Sequence, residues 1–218
     1  MESTVTLAQG AHILRLIEEK GVSKEQLNGL IKSGLLADLL DADPTSANRD
    51  DFRKLLGLGL LKFKTWRTLK LGTGLKTGDD FRRALKKARY KISNWADEIL
   101  GKPIFMVAIK ETGAELVVVS VAELGFKNGA TRKEIYDRAL ELGLVLCPVE
   151  VGPQLRLQYP EHFHGECLLI AMEPITVSDG SLDVFCVVHD GDGRWLRTSY
   201  GRPESKYSSD THWVFMCR

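Results

Sequence analysis

The sequence is defined first by what it lacks. No run of about 18 apolar residues occurs, so nothing reads as a membrane span. Residues 1–11 have neither a basic start nor an apolar core, so no secretory signal is expected. Cysteine is scarce: Cys147, Cys167, Cys186 and Cys217 lie far apart and none forms a Cys-x-x-Cys pair. That spacing argues against a disulfide framework or a regular zinc motif, and free thiols in a reducing cytoplasm are expected. Internal repeats and low-complexity tracts are also missing. What is present is a chain of 218 residues, 44% hydrophobic and 27% charged. Such a chain buries a sizeable core without a metal or cofactor, as one large domain or two small ones.

Helical spacing dominates the first third. Leu7, Ile13, Leu14 and Ile17 form one stripe, ended by Gly21; Ser23 caps a second helix, and Gly34 separates it from a third, leucine-rich one. A fourth helix is expected over 50–56. From Leu61 the period changes. Leu61, Phe63, Leu69 and Leu71 alternate with Lys62, Lys64 and Lys70, which reads as a strand with a charged face. Thr77 with Asp80 resembles a capping box for a helix carrying Phe81, Leu85, Ile92 and Ile99, unless Ser93 restarts a second short helix.

Beyond Pro103, residues 104–109 and 115–121 read as strands, and Thr131 with Glu134 caps a helix to Leu142. Strand-like runs at 168–177, 182–189, 194–200 and 212–217, with Asp-Gly turns among them, predict an antiparallel meander. The expected fold class is α+β: a helical N-terminal half, then a C-terminal antiparallel β-meander packed by one helix. The expected division is 1–100, mainly helical with a basic segment at 52–92, and 101–218, an α+β domain.

Residues 33–40, 69–81, 144–158 and 170–175 carry a resemblance. They are similar to a group of bacterial proteins, frequent in genomes of candidate phyla, with no assigned activity. The resemblance covers most of the chain. It implies a bacterial, cytoplasmic protein and transfers no site residues.

Charge is the strongest functional lead. Residues 52–92 hold thirteen Lys and Arg against Asp79 and Asp80, a net +11, whereas the whole chain is +1 and the remainder therefore −10. Lys62, Lys64, Trp66, Arg67 and Lys70 on the strand, with Arg82, Arg83, Lys86, Lys87 and Lys91 on and after the helix, form a candidate polyanion surface. Phosphates would meet the cations and an unpaired base could stack on Trp66. The competing reading is a solvated or internally neutralised face, with Trp66 in the core. An acidic protein partner is a third.

Other constellations are weaker. Residues 69–81 run strand, Gly-rich loop, Lys76-Thr77, helix, but Lys70 and Leu75 stand where a phosphate loop needs glycine. A helix–turn–helix at 23–40 has a suitable Gly34 turn but a second helix with almost no polar face. His162, His164 and Cys167 are the densest set of metal-ligand types, and with His189 they define the alternative of a metal-dependent hydrolase. Cys147, Cys167 or Cys186 with His189 and Asp190 would make a nucleophilic site, but nothing in the sequence marks one as activated. Trp195, Tyr200, Tyr207 and Trp213 with Arg194, Arg197 and Arg202 could line a ligand face, half of it core by strand alternation. The favoured function is a non-enzymatic binding or adaptor protein that contacts RNA, DNA or another polyanion, with no cofactor and no membrane partner. A protein-interaction or assembly module is the other alternative.

Overall fold

The structure is a computed structural model and describes residues 6–41 and 63–217. The chain forms two compact units, Met1–Leu60 and Leu61–Arg218. In the first, helices α1 (Leu7–Glu19), α2 (Lys24–Lys32) and α3 (Leu35–Asp41) follow the expected stops. Thr6 with Gln9 and Ser23 with Gln26 close capping boxes on α1 and α2. Neither α2 nor α3 buries a residue. The helix expected at 50–56 lies outside the described residues.

The second unit holds a large curled mixed sheet, and the class is α+β. Its strands are β1 (Arg67–Leu71), β2 (Lys91–Ile92), β3 (Thr112–Ser120), β4 (Ala130–Thr131), β5 (Leu144–Val145), β6 (Cys167–Ile170), β7 (Ile175–Thr176), β8 (Leu182–Asp190), β9 (Gly193–Tyr200), β10 (Lys206–Tyr207) and β11 (His212–Cys217). The main order is β1-β3-β11-β6-β8-β9-β2. The β8–β9 hairpin is antiparallel as expected, but β11 inserts between β3 and β6 and runs parallel to β6. The tail is therefore not a simple meander. Residues 61–100 share a compact unit with 101–218, because β1 and β2 form the two ends of this sheet.

Four helices pack on it: α4 (Gly78–Lys87), α5 (Asn94–Leu100), α6 (Arg132–Glu141) and α7 (Val151–Gln158). The Thr77–Asp80 and Thr131–Glu134 capping boxes are both formed. Ser93 does restart a short helix, α5, after β2. Helix α6 covers one part of the sheet, where Tyr136 meets Trp213 edge-on at 5.4 Å and donates to the Met172 carbonyl. The expected strand at 104–109 is instead an irregular loop, with Ile104, Met106 and Ile109 60, 73 and 100% exposed. It finds no partner strand, and alternation alone does not make one. The run at 168–177 is broken into β6 and β7 around Pro174, which has no N–H for the ladder.

Helix α7 was not apparent from the sequence, yet it is central. It touches β1 near one end of the strand order and β8 and β9 near the other, so the sheet curls around it. Gly152 makes that approach possible, since a Cβ there would lie 2.6 Å from the Phe185 ring. Polar side chains lock the helix in place. Buried Glu150 accepts from Gly72 N and Ala108 N, both at 2.8 Å, and Gln154 Nε2 donates to it and to Thr73 Oγ1. The Gln158 amide accepts from Lys70 N at 3.0 Å and donates to Lys70 O at 2.8 Å. It thereby occupies backbone groups that an edge strand otherwise leaves open to another chain.

Candidate nucleic-acid interface

The structure divides the basic segment in two. Its first part is largely neutralised within the fold. Arg67 lies between the rings of Trp66 and Tyr159, at 5.2 and 4.6 Å, and pairs with Glu161 while donating to Gln158 O. Trp66 itself packs edge-on against Tyr159 at 5.1 Å. Lys70 pairs with Glu111 at 3.1 Å. Arg82 bridges Asp79 and Asp97 at 2.7 and 2.6 Å, and Arg83 pairs with Asp80. The Asp97 hydrogen bond is the main cause holding the Arg82 guanidinium above its usual range. Exposed pairs of this kind contribute little stability, about 0–1 kcal/mol each; their effect is to occupy charge. Lys62 lies outside the described residues, and Lys64 is exposed.

The second part behaves differently. Lys86 and Lys87 occupy the last turn of α4, where cations complement the helix dipole. The helix then ends in a Schellman arrangement: Tyr90 N donates to Leu85 O and Arg89 N to Lys86 O. Arg89 holds φ 59°, the one non-glycine residue with positive φ among the described residues. Glycine normally takes this position, because a side chain costs about 1 kcal/mol there. Two residues later, Lys91 on β2 pairs in register with Trp195 on β9. Lys91 Nζ stands 5.0 Å from the Trp195 ring centroid and Arg197 Cζ 4.4 Å from it.

Lys86, Lys87, Arg89 and Lys91 are all exposed, and none has an ion pair among the described residues. Arg197 pairs with Asp190 at 2.7 Å. The five residues from Lys87 to Lys91 span at most about 14 Å, so these cations cluster at the β2 edge. Two leads that were separate in the sequence, the basic segment and the tail aromatics, meet here. Arg194 does not join them. Strand alternation turns it to the other face of β9, where its charge acts on Arg156 and His162.

The remaining candidates resolve into structural roles. His162, His164 and Cys167 do not converge, and among the described residues no three His, Cys, Asp or Glu side chains could hold a metal. His162 is 1% exposed. Its Nδ1 accepts from Arg156 at 2.8 Å, which leaves the ring proton on Nε2, 3.0 Å from Glu166 Oε2 but off the line of a hydrogen bond. Tyr159 stacks on the ring at 4.8 Å and donates to Glu166 Oε2 at 3.0 Å. Burial first, then Arg156, push His162 down to about 4, so it is neutral at pH 7. His189 Nδ1 donates to His162 O at 2.6 Å and ties the loop to β8.

At the glycine-rich loop, Asp80 Oδ2 accepts from Lys76 N and Thr77 N at 2.9 and 3.0 Å. The donors a phosphate would use are already taken. Of the tail aromatics, Trp213 is fully buried and Tyr207 packs on it at 4.9 Å, while Tyr200 is exposed. Sequence reading missed Arg156, which is 0% exposed, lies 4.7 Å from the Tyr90 ring and forms no ion pair with a carboxylate among the described residues. It also missed the strained backbone of Arg89. Only a non-glycine residue just past the α4 stripe hinted at that. Compared with protein-family profiles, curated proteins and solved structures, the chain matches none.

Proposed function

We propose that the protein is a cytoplasmic, non-enzymatic nucleic-acid-binding protein that grips the phosphate backbone with Lys86, Lys87, Arg89 and Lys91. One observation carries the reading: Arg89 occupies a left-handed helix-end position that glycine would fill without strain, inside a run of cations that have no ion pair among the described residues. Backbone strain retained at an exposed charged residue points to a use for its side chain. Trp195 holds Lys91 and Arg197 against its ring, so it orients cations rather than stacking a base. Contact is then to phosphates and carries little sequence preference. The test is fluorescence anisotropy of labelled single-stranded RNA and duplex DNA, titrated with tag-free protein. Binding to both at low salt, insensitive to base composition, is expected. No binding at low salt overturns the reading.

A second reading rests on α1–α3, where Ile13, Leu14, Ile31, Leu35, Leu39 and Leu40 are exposed among the described residues. Such a surface suits protein docking or self-assembly. A light-scattering mass that rises with concentration supports it, and a constant monomer mass removes self-assembly.

A further inference from the structure

The β6–β8 register brings two thiols together. Cys167 lies opposite Val188, and Leu169 opposite Cys186. Residues two apart on a strand share a face, so Cys167 and Cys186 are diagonal neighbours on one face of the sheet. Arg197 lies directly opposite Cys186 on β9, and thiol, thiol and guanidinium form a row across three strands. Cys167 is exposed, whereas Cys186 is buried, at 3%. Cys167 opens onto a shallow groove of about 530 Å³ lined also by Glu166, Tyr207, Asp210 and His212, which admits a small reagent.

The environment divides the roles. The neighbouring Cys186 thiol, with help from Arg197, holds Cys167 below the usual thiol range against the opposing effects of burial and Glu166. The same contact and burial keep the proton on Cys186. An exposed, thiolate-prone cysteine beside a protonated buried one is the arrangement of an attacking and a resolving thiol. The other two cysteines lack it. Cys147 is buried, pushed up by burial, and donates to Val214 O; Cys217 meets Thr65 Oγ1 at 4.0 Å.

We propose that Cys167 and Cys186 are a reversible dithiol–disulfide pair, oxidised by a hydroperoxide. The Cys167 thiolate attacks one peroxide oxygen, the O–O bond breaks, and the departing hydroxide takes up the proton Cys167 released, forming water. The resulting sulfenic acid is attacked by the Cys186 sulfur. The S–O bond breaks, the S–S bond forms, and the hydroxyl leaves as a second water with the Cys186 proton. Two thiols and one hydrogen peroxide thus give one disulfide and two waters. Diagonal neighbours lie about 7–8 Å apart, just beyond the usual Cα separation of a disulfide, so closing the bond draws β6 and β8 together and leaves it strained and readily reduced by a dithiol.

The experiment treats the native full chain with hydrogen peroxide, alkylates the remaining thiols and maps the cysteines by mass spectrometry without reduction. Trypsin leaves both residues in one peptide, 157–194, so further cuts before Asp179, Asp183 and Asp190 are needed to make the linkage visible. Loss of two of the four thiols, a cross-linked 157–178/183–189 pair, and full recovery with dithiothreitol are expected. In Cys186→Ala, Cys167 should stop at sulfenic and then sulfinic acid with no cross-link. Four intact thiols after excess peroxide overturn the proposal. So does wild-type Cys167 passing to sulfinic acid with Cys186 still alkylatable. Neither result bears on nucleic-acid binding, which the reduced protein is assayed for separately.

Discussion

Lys91 Nζ stands 5.0 Å over the ring of Trp195, 104 positions away in sequence and directly beside it in the β2–β9 register. Arg197 approaches the same ring. The indole fixes two cations that would otherwise sample many rotamers, and each contact is worth about 0.5–1 kcal/mol. Trp195→Ala should therefore weaken nucleic-acid affinity about five- to tenfold, measured by anisotropy. Trp66→Ala should leave affinity unchanged and lower the melting temperature, because Trp66 packs on Tyr159. The reverse pattern would return base stacking to Trp66.

Lys86 and Lys87 are exposed and have no ion pair among the described residues, whereas Arg82 is held by Asp79 and Asp97. The double variant Lys86→Glu/Lys87→Glu should reduce binding at least tenfold with little change in melting temperature. Arg82→Ala should do the opposite, destabilising by about 1 kcal/mol through its lost hydrogen bonds to the α5 end. Equal effects of both on affinity would mean that the paired arginines also reach the ligand.

Arg89→Gly separates stability from binding most cleanly. It relieves a positive φ at the end of α4 and should stabilise the fold by up to about 1 kcal/mol. It also removes one cation from the patch and should weaken binding. Thermal melts and anisotropy on the same preparation check both. A variant that binds as tightly as wild type would leave the strain at Arg89 without a function.

His162 gives a pH signature. Its folded value is pushed down to about 4, first by burial and then by Arg156, with His189 and Arg194 adding to the effect. Glu166 and Tyr159 also face the ring. Because the folded value lies below the unfolded value of about 6.5, this contribution is fully present above pH 6.5. It is lost as pH falls towards 4, where the unfolded chain binds a proton that the folded one excludes. The loss should approach about 3 kcal/mol between those limits. Urea melts at pH 7 and pH 4.5 measure it. His162→Asn, which keeps an acceptor for Arg156, should flatten the difference; an unchanged pH profile would assign the effect to other groups.

Local signals carried the helix ends and the hairpin. Thr77 with Asp80 and Thr131 with Glu134 cap within four residues, and Asp190 to Gly193 turns β8 into β9. Helix α7 stayed hidden because its partners are remote. Glu150 binds Gly72, 78 residues away, and Gln158 binds Lys70, 88 away. In a one-dimensional pattern such polar residues look like surface, and Gly152-Pro153 looks like a break. The site was half legible for the same reason. Charge counting found Lys86, Lys87 and Lys91, but pairing with Asp79, Asp97, Glu111 and Glu161 removed Arg82, Lys70 and Arg67 from the free set. Tertiary contacts, not composition, decide which cations remain available.

The central claim is that about four cations at the β2 edge contact phosphates. The most direct measurement is the salt dependence of binding to a labelled single-stranded oligonucleotide, for wild type and for Lys86→Glu/Lys87→Glu/Arg89→Gly. Counterion release predicts a log–log slope of about −3 to −4 for wild type, falling by about 2 in the variant. A wild-type slope near zero, or a slope the three substitutions leave unchanged, would contradict the account.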